Sequence, residues 1–327
     1  MSTHSALIVK LLPAFALGCL SATPAAADTF GSGANTFTID FVPIGNAGNG
    51  RDFGAGGGIY SSPYGAVGYR YRMGVTEVPQ DWITKATNLG LANVTAGAWT
   101  GNQPAANMTW FEAAAFVNFL NMSTGHQAAY QLDATNGALT LWSPGQAWDN
   151  DPSVGVDLNL YRHKDAYYFL PSENEWYKAA FHKNDGVTAN YWDYATGGNT
   201  IPTAVGSGTA AGTAVYGVVV VAPAAVNNDG GLSAYGTRGQ DGNVWEWEES
   251  AFDGINDSSS DDRGFRGGYW VDTEAILRSS TRGVNGPSFS FNGVGFRVAS
   301  VPEPSPAMLM LSVGLVGWFG KRRATHR

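Results

Sequence analysis

Gly242-Asn243-Val244-Trp245-Glu246-Trp247 is the stretch whose reading decides the fold. Glycine permits a tight turn, and the residues after it have the period of two that a strand requires. Trp245 and Trp247 then share one face, while Val244, Glu246 and Glu248 share the other. The two indoles can seal a core. Arg266, Arg278, Arg282 and Arg297 are four of few cations and lie among apolar residues. A guanidinium there can satisfy several carbonyls and pair with Glu173, Glu175 or Glu246. We read these arginines as a structural network rather than as substrate contacts.

Upstream, two helix starts are legible. Thr109-Trp110-Phe111-Glu112 has the form T-x-x-E, in which hydroxyl and carboxylate each satisfy an orphan backbone donor. Trp110, Ala113, Val117 and Leu120 follow at helical spacing up to about Asn121. Ser172-Glu173-Asn174-Glu175 repeats the device after Pro171, with Trp176, Ala179 and Ala180 behind it. Residues 45–68 read as Gly-rich loops, and residues 196–236 as an insertion around one buried strand at Val218–Val221. Near the end, Val294, Phe296 and Val298 alternate with Gly295, Arg297 and Ala299, which predicts a half-buried strand.

Composition narrows the chemistry. Of 327 residues, 43 are Gly and 11 Trp while only 14% are charged, which favours a loop-rich fold pinned by aromatics. The body 28–300 keeps 14 of the 19 cations and 26 of the 27 acids, a balance that repels polyanions, so no nucleic-acid partner is expected. Cys19 is the single cysteine and lies in a removable segment, which leaves no sulfur for a disulfide, a thiolate metal site or a thiol nucleophile. The histidines lack ligand spacing, and His163 and His182 read as surface or satisfied groups rather than bases. Asp261, Asp262, Asp272 and Glu274 could form a hydrolytic pair, but an acidic body offers many chance pairs.

The two ends read as an address. Lys10, the apolar stretch Leu11–Leu20 and Ala25-Ala26-Ala27 before Asp28 make residues 1–27 a signal peptide. At the other end Val301-Pro302-Glu303-Pro304 precedes an apolar stretch, Ala307–Gly320, and the basic tip Lys321-Arg322-Arg323. Residues 301–327 resemble the PEP-CTERM sorting signal of Gram-negative bacteria, with its Pro302-Glu303-Pro304 motif, short transmembrane helix and basic tip. The resemblance implies recognition by an exosortase in the inner membrane, removal of the tail, and delivery to the cell surface or extracellular matrix.

Taken in order, seven segments resemble the sulfatase-modifying factor or formylglycine-generating enzyme family. They are Tyr71–Val78, Met108–Ala113, Tyr168–Trp176, Gly242–Trp247, Arg266–Trp270, Arg278–Arg282 and Val294–Arg297. The resemblance implies an α+β fold of C-type lectin-like architecture over 28–300, with few short helices and small antiparallel sheets. It also exposes a departure. The family's enzymes oxidise a substrate cysteine with two active-site cysteines that usually bind copper. The matching interval here, Tyr269 to Leu277, has no sulfur, and Asp272 falls about where the first belongs. A carboxylate is a hard ligand that cannot replace thiolates toward Cu(I). No catalytic residue is assigned, and neither copper nor iron is expected.

Calcium is the cofactor that the resemblance implies. One site would use main-chain oxygens of Gly242 and Val244 with Glu246, although Gly239 stands where the family often has Asp or Asn, leaving Asp241 or Asn243 to compensate. A second would use Asn190 and the carbonyl of Tyr191. The leading expectation is a non-catalytic surface or matrix protein that binds a glycan or peptide through aromatic, Gly-rich loops. Trp142, Trp148, Tyr191, Trp192 and Tyr194 are candidates for stacking, as are Trp270 and Asp272 for ligand contact. An enzyme with replaced chemistry and a purely structural surface protein are the alternatives.

Overall fold

Thr109 and Ser172 both start helices in the computed structural model, which describes residues 26–54, 63–95, 97–149, 158–217 and 221–301. The first third holds strands β1 (Ala26–Phe30), β2 (Phe37–Ile44) and β3 (Tyr71–Gly74), then helices α1 (Gln80–Asn88) and α2 (Trp110–Ser123). Short pieces follow: β4 (Gln131–Leu132), β5 (Leu139–Thr140), β6 (Ala147–Trp148), β7 (Asn159–His163) and β8 (Tyr168–Phe169), then helix α3 (Glu173–Phe181). The remainder contains β9 (Thr203–Ala204), β10 (Thr213–Ala214), β11 (Trp245–Ala251), β12 (Arg263–Arg266), β13 (Gly283–Asn285), β14 (Val294–Phe296) and β15 (Ala299–Ser300). This is a loop-rich α+β architecture.

Both capping boxes close as the sequence predicts. The Thr109 hydroxyl accepts from the Glu112 N–H while Glu112 accepts from the Thr109 N–H, and Ser172 and Glu175 do the same. Helix α1 was not legible. Its N-cap is Pro79, which provides no capping side chain, and Thr and Ile occupy its interior, so the local signals are missing. Burial of Ile83 and Ala86 in the main core holds it instead.

Two sheets carry the body. One has the order β1-β2-β3-β15-β8 and is antiparallel throughout. The other has the order β13-β12-β11-β14, antiparallel except that β11 and β14 run parallel, so the few helices and small antiparallel sheets that the resemblance implies are present. Trp247 and Phe296 are cross-strand partners there, and both sit with Trp110 and Phe116 in the main core. Trp247 also donates its indole N–H to the Met108 carbonyl. As predicted, Trp245 and Trp247 share a face, each packing edge-on against Phe265.

Two other readings change. The Val294–Val298 segment is buried on both faces, because Gly295 lies against the Ala105 carbonyl and the Arg297 side chain enters an ion pair instead of solvent. In the 196–236 stretch, Val221 is 94% exposed, which removes it from any buried strand; Val218–Val220 lie outside the described residues. The strands found there are β9 and β10, a parallel pair of two residues each. At the N-terminus, the expected cleavage point after Ala27 falls within β1, where Ala27 pairs with Asp40. Residues 1–25 and 302–327, with the rest of the expected signal peptide and the sorting helix, lie outside the described residues.

Candidate functional site

The interior is unusually ionic, and its logic is set by β11. Glu246, Glu248 and Glu249 on this strand are all buried. Arg297 binds Glu246 through both Nε and Nη2 at 2.5 Å, and the Trp176 indole donates to the same carboxylate. Arg266 contacts Glu173 at 2.6 Å and lies 3.5 Å from Glu248, while Arg282 closes on the other Glu173 oxygen. Three of the four expected arginines are thus network residues. Arg278 is the exception, exposed and stacked over Tyr194. The pairing foreseen for Glu175 goes instead to Arg162, a residue that stands in no recognisable motif. Arg162 bridges Glu175 at 2.9 Å and Glu249 at 2.6 Å.

The turn at the front of β11 is built by two left-handed residues. Gly242 has φ +87, and a Cβ there would lie 2.1 Å from the Val215 carbonyl oxygen, so only glycine fits. Asn243 follows at φ +58 and is fully buried. Its amide donates to both Glu77 oxygens, and its own oxygen accepts from the Ala224 N–H. This turn therefore joins four chain segments.

Glu246 accepts two hydrogen bonds from Arg297 and one from Trp176, so a cation at this carboxylate would compete with the guanidinium. Other carboxylates are nearby. Asp229 is 1% exposed, its carboxyl lies against that of Glu77 so that the two can share a proton, and the Arg238 guanidinium is 4.0 Å away. Burial pushes its carboxyl up to about 7. A Cβ on Gly239 would come within 2.5 Å of an Asp229 oxygen and 2.9 Å of the Glu77 carboxyl carbon. The side-chain space that residue 239 leaves open is thus filled by Asp229 and Glu77. Burial, then the neighbouring Asp229, raises the Glu77 carboxyl far above its ordinary value. Asp229 also lines a cavity of about 10 Å³ with Asp241, whose Oδ1 is unpartnered. That is room for about one water-sized occupant.

At the other expected calcium position, Asn190 is exposed, its amide donates to Asp185 and its carbonyl accepts the Lys183 N–H. Tyr191 is buried against Tyr177.

Trp270 and Asp272, the candidates for ligand contact in the interval where the family has its cysteines, are packed into the protein. Trp270 is 4% exposed and meets Trp99 edge-on at 5.3 Å, so its ring offers no stacking face to a ligand. Asp272 is half-buried, and its carboxylate accepts the Tyr269 N–H at 3.0 Å, closing the turn after the R-G-G segment. Burial raises its pKa, against that hydrogen bond. Asp261 is occupied by Tyr161 and Ser258. His163 and His182 are buried, which lowers both pKa values; His182 contacts the Tyr235 hydroxyl.

The aromatic candidates divide. Tyr194 and Tyr191 are buried, Trp148 lies edge-on against Tyr69, and Lys183 covers the ring of half-buried Trp192 at 4.0 Å. Trp142 alone among them lines a large cleft of about 780 Å³ beside α2. Helix α2 is apolar on all sides, which a single core contact cannot explain. Its inner face fills the main core, and its outer residues Phe111, Ala115, Phe119 and Met122 line the cleft. Met122 is 62% exposed. Composition hides such a groove, because its walls come from residues 90–95, 107–122, 128–142 and 290.

A loop-rich α+β body with ion pairs buried behind a G-N-x-W-E turn defines a sulfatase-modifying-factor type of scaffold. Residues 66–301 match the sulfatase-modifying factor enzyme 1-like domain, and the chain belongs to that family. Residues 300–323 match the PEP-CTERM protein-sorting motif, which implies export and exosortase-mediated sorting to the cell envelope. Among solved structures, Treponema denticola variable protein 1 is similar at 21% identity and a TM-score of 0.57, covering 86% of this chain and 100% of that one. CarF is similar at 19% identity and a TM-score of 0.52, with coverage of 81% and 99%. At such identities the likeness shows the fold. No curated protein matches the chain.

Proposed function

We propose that the protein is a non-catalytic binding component of the cell surface or extracellular matrix, and that it holds a neutral oligosaccharide in the cleft beside α2. The cleft's lining carries this reading. No Lys, Arg or His is among the described residues that line it, so a polyanion would find no counter-charge. Its carboxylates are engaged internally: Glu112 accepts from Thr95 and Thr109, and one Asp133 oxygen closes a turn onto Thr135 and Asn136. What remains is an aromatic and aliphatic floor with amides around it. Among the described residues, the side chains of Asn93, Asn107 and Gln131 make no hydrogen bond, and all three line the cleft. An amide both donates and accepts, as sugar hydroxyls do, and an aromatic ring suits the C–H face of a pyranose.

The non-catalytic part rests on sulfur. Cys19 is the only cysteine, and at the place where the resemblance puts the first catalytic thiol, the Asp272 carboxylate closes a turn. A glycan and peptide array with the full-length protein tests the reading. Binding of uncharged oligosaccharides, weakened at least tenfold by Phe119→Ala or Trp142→Ala with the circular dichroism unchanged, is the expected outcome. Capture of peptides alone, or of no ligand, would overturn the glycan assignment. Conversion of a peptidyl cysteine to an aldehyde would overturn the non-catalytic one.

A further inference from the structure

We propose that Arg72 clamps the two processed ends of the exported body together, and that by holding Ser300 and Val301 it confines the chain offered to the sorting enzyme to the five residues Pro302 to Pro306. Arg72 lies on β3, the middle strand of the five-stranded sheet, and is 4% exposed. Its guanidinium meets the Asp28 carboxylate end-on, with Nη1 at 3.1 Å from one oxygen and Nη2 at 2.6 Å from the other. On its Nε edge it donates to the Ser300 hydroxyl at 2.8 Å and to the Val301 carbonyl at 3.2 Å. A bidentate ionic contact of this kind fixes geometry as well as adding energy.

Both partners stand where processing is expected. Asp28 is the first residue left when 1–27 are removed, and Val301 is the last before Pro302-Glu303-Pro304. Loss of Ala26 and Ala27 takes two of the five residue pairs that join β1 to β2, and a strand shortened in this way frays unless a side chain pins it. Asp28 is that pin, and the Tyr168 hydroxyl donates to the same carboxylate at 2.8 Å. At the other end β15 pairs with β3 and β8, and the Val301 N–H donates to the Tyr167 carbonyl at 2.9 Å. The apolar stretch of the sorting signal begins at Ala307. Five residues span at most about 18 Å, so the tail leaves the folded body on a short leash whose origin Arg72 fixes. Cleavage by water within the leash breaks one peptide C–N bond and leaves a carboxylate on the body and an amine on the tail.

Two measurements test this. In amide hydrogen exchange on the full-length protein, Asp28→Asn is expected to speed exchange at least threefold at 299–301 as well as at 28–30, and Arg72→Gln to do the same. Should Arg72→Gln fail to fold, Asp28→Asn carries the test. Faster exchange at 28–30 alone overturns the clamp. In a Gram-negative host that carries an exosortase, peptide mapping of the released protein is expected to find Asp28 first and a last residue from Val301 to Pro306. A released form that ends before Val301 or beyond Pro306, or no release at all, overturns the leash.

Discussion

Of two buried acidic clusters, one includes Glu249 on β11 and the other lies by the turn before that strand, and the fold treats them differently. In the first, Arg162 sits between Glu175 and Glu249, all three at most 1% exposed. Asn159, Tyr69 and Tyr130 donate to the same carboxylates. Burial alone would raise both carboxyls; Arg162 holds Glu175 below its ordinary value, whereas Glu249 stays raised because burial outweighs the same guanidinium. In the second, Glu77 and Asp229 face each other with no guanidinium in bidentate contact, and both are pushed up. A carboxylate that has lost its water needs an equally close positive partner. The first cluster has one within the chain. The second has no such cation, and its two carboxyls are driven towards the neutral form instead.

Breaking the satisfied cluster gives the largest expected effect. Arg162→Met leaves two carboxylates buried without a cation and is expected to cost about 3–5 kcal/mol in urea unfolding. A loss under about 1 kcal/mol would mean that the two clusters do not differ as described. The same kind of change in the open cluster has the reverse sign. At pH 8, Asp229→Asn removes a buried charge without a close cation and is expected to stabilise by about 1–3 kcal/mol, whereas Glu175→Gln destabilises. Equal signs for the two variants would erase the contrast.

Lys178 extends the comparison to a buried cation. It is fully buried on α3 with one acceptor, the Asn46 carbonyl, and burial lowers its pKa to about 7. The unfolded lysine keeps its proton to about pH 10.4. Between those values the unfolded state binds more protons, so stability contributed by this group rises with pH. Urea midpoints are therefore expected to increase from pH 7 to 9 in the native protein and to lose that slope in Lys178→Met; a slope that survives the substitution assigns it elsewhere. The smallest effect tests a local device outside both clusters. Thr109→Ala removes the cap of α2 and is expected to cost about 1 kcal/mol, with Tm as the readout.

The buried ion pairs are unequally legible in the sequence. Glu173, Glu246, Arg266, Arg282 and Arg297 stand in motifs where pairing is expected, and they do pair. Arg162 and Asp229 had no such setting. Arg162 lies on a short strand, and Asp229 in the run Asn227-Asn228-Asp229-Gly230-Gly231, which reads as an ordinary turn. Their partners are distant in the chain, so no local pattern could reveal them. Trp270 misleads for the complementary reason: an aromatic in a Gly-rich stretch looks available, and only packing against Trp99 removes it from solvent.

The amino-acid order alone determined the two capped helices, the facing of Trp245 and Trp247, the exclusion of thiol chemistry from 28–300 and the sorting address at the C-terminus. Each depends on composition or on residues within a few positions of one another. Tertiary structure alone decided which carboxylates are neutralised, that Asp229 fills the space at Gly239, and that the outer face of α2 borders a cleft. Those outcomes depend on which distant groups lose their water together, a property of the packed chain and not of any segment of it.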